Sequence, residues 1–85
     1  MKRVDLEPFD ELIRQLRVHG HAAAAEAIAT IKASAWTSAS ELLGELGAAV
    51  LQFQSRTPDA PQPLGRALQR CMKEVRKVWP RIGAS

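Results

Sequence analysis

The segment Leu64-Gly65-Arg66-Ala67-Leu68-Gln69-Arg70-Cys71-Met72-Lys73-Glu74-Val75-Arg76-Lys77-Val78-Trp79 decides the fold class. Leu64, Ala67, Leu68, Cys71, Met72, Val75, Val78 and Trp79 recur at three- and four-residue steps. At about 100° per residue these positions share one side of an α-helix, whereas a strand would divide them between its two faces. Pro80 supplies the stop, because its ring and missing N–H oppose helix continuation. The segment predicts a helix over 64–79. Opposite the apolar centre, Arg66, Arg70, Lys73 and Lys77 fall in a narrow basic stripe.

Upstream, the same period recurs three times. Phe9, Leu12, Ile13 and Leu16 give a helix over 8–19, with Pro8 tolerated in the first turn and Gly20 suited to the left-handed position after the last one. Asp10 and Arg14, four apart, are positioned to pair on its surface. An alanine-rich helix over 22–35 has a thin apolar stripe of Ala24, Ile28, Ile31 and Ala35, with Trp36 at its end. Ser38-Ala39-Ser40-Glu41 is a capping box, in which the serine hydroxyl and the glutamate carboxylate serve free N–H groups, so a third helix covers 39–55. Leu42, Leu43, Leu46, Val50 and Phe53 form its core stripe. Ser40, Gly44, Gly47 and Leu51 make a second face, whose glycines suit close approach of another helix or a second copy of the chain. The run Arg56-Thr57-Pro58-Asp59-Ala60-Pro61-Gln62-Pro63 has no apolar period and reads as a connector over 56–63.

The expected architecture is all-α, a small four-helix bundle with up-down-up-down antiparallel topology, filling residues 1–85 as one domain. Eighty-five residues leave no room for a second core, and 46% hydrophobic with 25% charged residues exclude a disordered or collagen-like chain. No apolar run approaches the roughly 20 residues needed to span a bilayer. The N-terminus meets acids and Pro8 where a secretory signal needs an apolar stretch, and the lone Cys71 cannot form an internal disulfide, so a reducing cytoplasm is expected.

The net charge of +3 is unevenly spread. Residues 1–59 carry six Lys/Arg against eight Asp/Glu, and residues 60–85 carry six Lys/Arg against one acid, Glu74. An anionic partner should therefore meet the last helix first. Its basic stripe suits an acidic protein or, as the alternative, nonspecific binding to nucleic-acid phosphates, which is the weaker expectation because no aromatic, Asn or Ser interleaves the stripe for base recognition. Glu41 and Glu45 on the third helix exclude a helix-turn-helix reading.

Other candidate sites are weaker. His19-Gly20-His21 lacks the further ligands that a metal centre requires. Cys71 lies in the apolar stripe between Leu68 and Val75, where packing is expected and nucleophilic reactivity is not. Trp36 and Trp79, each at a helix end, are expected to close the ends of the core. No paired carboxylates, phosphate loop or cofactor motif stands out. A non-enzyme with no cofactor, no metal and no small-molecule substrate is therefore expected, acting by binding a protein partner or itself as a homodimer.

The pattern Phe9…Leu12-Ile13…Leu16…Gly20, then Ala24…Ile28…Ile31, then Glu41-Leu42-Leu43…Leu46-Gly47 resembles that of small bacterial helical proteins of unassigned function. The resemblance spans roughly half the chain and consists of amphipathic spacing with a glycine turn. It implies an all-α fold and carries over no functional residue. The Ala- and Arg-rich composition is compatible with a bacterial source.

Overall fold

The first helix opens on a proline and closes on a glycine, and both residues act as the sequence predicts. The structure, a computed structural model, describes residues 5–34 and 38–82. Helix α1 spans Glu7–Val18, with Pro8 in its first turn. Asp5 Oδ1 accepts a hydrogen bond from Glu7 N at 2.9 Å, satisfying an N–H that the helix leaves free. At the other end Gly20 adopts φ +82°. There Gly20 N donates to Arg17 O at 3.3 Å and His21 N donates to Leu16 O at 2.7 Å. This pair of bonds is the Schellman closure, and the positive φ is why glycine stands there.

Helix α2 spans Ala22–Ala33 and ends two residues earlier than the spacing predicts. Ser34 turns to an extended backbone, and its hydroxyl donates to Thr30 O at 2.7 Å. Ala35 and Trp36 lie outside the described residues. Ala25 and Ile28 are the buried positions, while Ala24 and Ile31 are half-buried, so the inward face is rotated by part of a turn from the expected one. Helix α3, Ala39–Arg56, begins where the capping box places it, with Ser38 Oγ accepting from Glu41 N at 3.2 Å. Leu43, Leu46, Val50 and Phe53 are buried and Leu42 is half-buried.

The connector is shorter than expected. Helix α4 spans Gln62–Arg76, so Gln62 and Pro63 belong to a helix and Arg56 to the helix before it. Pro61 caps α4 in extended conformation and Pro63 occupies the first turn, where a proline loses no intrahelical bond. Reading each proline as a breaker overlooks this tolerance. The C-terminus of α4 also falls short of Trp79. After Arg76 the chain tightens into turns, with Val78 N donating to Val75 O at 3.1 Å and Ile82 N to Trp79 O at 3.1 Å, and Pro80 blocks regular continuation.

Each helix packs on its neighbours in chain order, and α1 closes the ring on α4. Cross-helix pairs fix the directions. Asp10 near the start of α1 bonds Lys32 near the end of α2 at 2.9 Å. His21 before α2 meets Phe53 late in α3, with ring centroids 5.0 Å apart. Asp5 before α1 donates its N–H to Glu74 late in α4 at 3.0 Å. Successive helices therefore run antiparallel, giving the up-down-up-down bundle. Phe9, Leu12, Leu16, Ile28, Leu43, Leu46, Val50, Leu64 and Val75 fill its centre at 0–1% exposure, so α1, α3 and α4 supply all but one of these side chains. The radius of gyration, 12.0 Å, equals that expected of one compact domain, about 12 Å for this length. Among the described residues no helix is long and apolar enough to cross a membrane.

Candidate interaction surfaces

The amphipathic phase of α4 buries Leu64, Ala67, Leu68, Cys71, Met72 and Val75 and thereby turns Arg66, Arg70 and Lys73 into solvent. None of these three forms a salt bridge among the described residues. The fourth member of the predicted stripe behaves differently. Lys77 is half-buried, and its Nζ lies 2.8 Å from Glu74 Oε1. The same oxygen accepts from Asp5 N at 3.0 Å, so Glu74, only 8% exposed, ties the chain start to α4. Hydrogen bonds from Lys77 and from the Asp5 backbone hold the Glu74 carboxyl below the ordinary carboxylate range.

Sequence reasoning treats Glu74 only as a stray acid in a basic segment. Its position beside Cys71 and Val75 places it at the edge of the apolar side, and that is the signal that marks it for a structural role. The Glu11 carboxyl on α1 is lowered mainly by its hydrogen bonds to Arg14 and Gln15, with a smaller contribution from the Arg70 charge. Arg14 Nε bonds Glu11 Oε2 at 2.8 Å, whereas Asp10 bonds Lys32 across the helix pair. The expected Asp10–Arg14 pair is thus replaced by two others, Arg14 with Glu11 on its own helix and Asp10 with Lys32 of α2.

The face of Ser40, Gly44, Gly47 and Leu51 is occupied by the chain's own C-terminal portion. A Cβ on Gly47 would lie 2.7 Å from Ile82 Cδ1 and 2.8 Å from Val75 Cγ1. On Gly44 it would lie 3.5 Å from the Trp79 indole nitrogen, which itself donates to Ser40 O at 2.8 Å. Leu51 is half-buried against the core. Trp79 therefore plugs one seam with an edge while remaining 44% exposed. The corresponding role expected of Trp36 falls outside the described residues.

His19 and His21 are held by different elements. The His19 ring Nδ1 lies 2.9 Å from Gln15 O, and the His21 ring meets Phe53 edge-to-face at 81°. Among the described residues no group of three or more His, Cys, Asp or Glu converges on a metal-sized site. Cys71 is fully buried, and its Sγ donates to Pro8 O at 3.2 Å. Burial pushes the thiol up to about 12, which favours its protonated form at neutral pH.

The small side chains of the alanine-rich helix α2 mark it in the sequence as a candidate surface and predict tight packing on α3 or a partner chain, but at one end the two helices leave a space instead. Between the start of α2 and the end of α3 lies an open groove of about 450 Å³, lined by Ala24, Ala27, Ile28, Ala49 and Phe53, with His21, Gln52, Arg56 and Thr57 supplying its polar side chains. Its lining comes from two stretches, 20–28 and 49–57, separated by the rest of both helices and the turn between them, and neither stretch shows a concavity in its own periodicity. A smaller cleft of about 190 Å³ between α1 and α2 is bordered by the Asp10–Lys32 pair. No family model, curated protein or solved structure matches this chain.

Proposed function

We propose that this chain is a non-enzymatic protein-interaction module of the bacterial cytoplasm that binds an acidic protein partner through the outer side of α4. The observation that carries the reading is the exposure of Arg66, Arg70 and Lys73 without a salt bridge among the described residues. Side chains of one sign, held on a rigid helix whose other side is committed to the core, form a preorganised positive strip that steers an anionic partner. The occupation of the glycine face by Val75, Trp79 and Ile82 favours this strip over self-association through that face.

The second reading keeps the same residues and makes phosphates their target, which the single-sign exposure of the strip equally favours. One experiment separates the two. Fluorescence anisotropy is measured against labelled polyglutamate and against mixed-sequence DNA and RNA over a salt series, with an Arg70→Glu/Lys73→Glu variant as control. Binding of polyglutamate that vanishes in the variant, with negligible nucleic-acid affinity at physiological salt, supports the module. Nucleic-acid binding that falls steeply with salt and disappears in the variant overturns it in favour of phosphate recognition.

A further inference from the structure

Trp79 closes the α3–α4 seam with one edge and leaves the rest of its ring in solvent. Its indole N–H is already paired with Ser40 O at 2.8 Å, and the adjoining ring atoms lie beside Gly44. The ring surface that remains, in a residue 44% exposed, is therefore apolar. A bulky, stiff, half-open ring of this kind is the residue type enriched at the anchors of protein contacts. Trp79 N donates to Val75 O at 2.8 Å, so a helical turn carries through to it although α4 ends at Arg76. Lys73, Arg76 and Trp79 thus stand three residues apart on successive turns. Arg76 is exposed and, like Lys73, forms no salt bridge among the described residues.

The charge that selects the occupant lies on the same element. Residues 60–85 carry six Lys/Arg against one acid, Glu74, and that acid is tied to Lys77 and to Asp5 N. Across the seam the sign changes. Glu41 and Glu45 are exposed on α3, next in the chain to the Ser40 and Gly44 that the indole touches. A nucleic-acid strand brings a phosphate with every nucleotide, those next to these acids included, whereas a polypeptide can set carboxylates along α4 and an uncharged side chain over the ring. A second copy docking through the same patch sets like-charged α4 helices against each other. We infer that the acidic partner anchors on Trp79, with an aliphatic side chain packed on the exposed indole and carboxylates one and two turns away paired with Arg76 and Lys73. This rests on the protein-interaction reading of α4 and deepens it, adding an apolar anchor and a direction along the helix.

The test uses the full chain and two labelled, acetylated helical peptides with glutamates at i+3, i+4 and i+7, one with leucine at i and the other with serine there. Anisotropy should show the leucine peptide binding about tenfold more tightly, as expected when one apolar side chain is buried at the centre of a contact. Arg76→Gln should weaken it by about threefold to fivefold, as expected for an exposed ion pair. In a Trp36→Phe variant the indole emission comes from Trp79 alone. The leucine peptide should shift that emission to the blue and shield it from acrylamide, while polyglutamate should bind without either effect. Circular dichroism melts establish that each variant is folded, and the comparison of the two peptides needs no variant. Equal affinities for the two peptides, with Trp79 emission unmoved and both lost in Arg70→Glu/Lys73→Glu, overturn the anchor and leave the α4 reading standing. Binding of polyglutamate with binding of neither peptide overturns the anchor alone, and loss of all three overturns the reading with it. Single-stranded DNA that quenches Trp79 while the peptides leave it unmoved makes base stacking the role of the ring and overturns the proposal.

Discussion

Helix α3 packs against two neighbours, and its two seams differ in kind. Toward α4 the glycines of α3 bring backbone and side chains so close that Val75 and Ile82 occupy the space a Gly47 side chain would need. Toward α2 the partner surface is mostly alanine, only Ala25 and Ile28 of that helix are buried, and a groove remains. The contrast teaches that small residues act oppositely according to what faces them. Against large branched side chains they permit interdigitation, and against other small residues they leave a space that the chain itself does not fill.

The largest effect that would break this contrast is expected at Val75, which is fully buried on the filled seam. Val75→Ala should cost about 2–3 kcal/mol, from lost methyl burial plus the cavity left under a tightly packed turn, read by urea unfolding. A shift of less than ~1 kcal/mol would mean that this seam collapses freely and is no tighter than the other.

The adjacent Glu74 offers a different probe of the same stretch. Replacing it by Gln leaves Lys77 beside a neutral amide and should cost about 1 kcal/mol at neutral pH. Because its folded-state carboxyl lies below the ordinary range, the contribution is present above the unfolded pKa and disappears as pH falls through the folded one. The gap between wild type and Glu74→Gln should therefore close on acidification, and unfolding midpoints at neutral and acidic pH that differ by a constant amount would contradict the assignment.

The glycines sharpen the comparison by sign. Gly47→Ala forces a methyl to within 2.8 Å of the stiff Val75 side chain and 2.7 Å of the Ile82 tip. It should lose about 1 kcal/mol net, with overpacking outweighing the helix-propensity gain. Gly44→Ala meets Trp79 at an ordinary 3.5 Å and should instead gain up to about 1 kcal/mol. Thermal melts that move in the same direction for both would show the seam to be uniform. On the open side, Ala27→Ser is exposed and should change stability by no more than about 0.5 kcal/mol.

How much of this was legible in the sequence varies with the range of the interaction. The Ser38 side-chain cap and the left-handed turn at Gly20 are set within a few residues, and both stand where the local pattern puts them. Pro63 misleads, since a proline breaks a helix interior but is accepted in a first turn, and only the position of Pro61 as the cap decides which applies. Lys77 belongs to the basic stripe on a helical wheel, yet its buried neighbour Glu74 takes it out of free solution. Asp10 chooses Lys32 over Arg14, and nothing within α1 announces that α2 brings a cation to it.

The sequence by itself determined the four helices, the apolar sides of α1, α3 and α4, the burial of Cys71 and the exposure of Arg66, Arg70 and Lys73, because each follows from covalent spacing along one element. Only the tertiary structure decided that the glycine face receives Val75 and Ile82, that Glu74 ties the chain start to α4, and that Arg56 and Phe53 share a groove with Ala27. These arrangements depend on which residues of separate helices arrive opposite one another, and that relative placement is set by the packing of the whole core rather than by the period of any one helix.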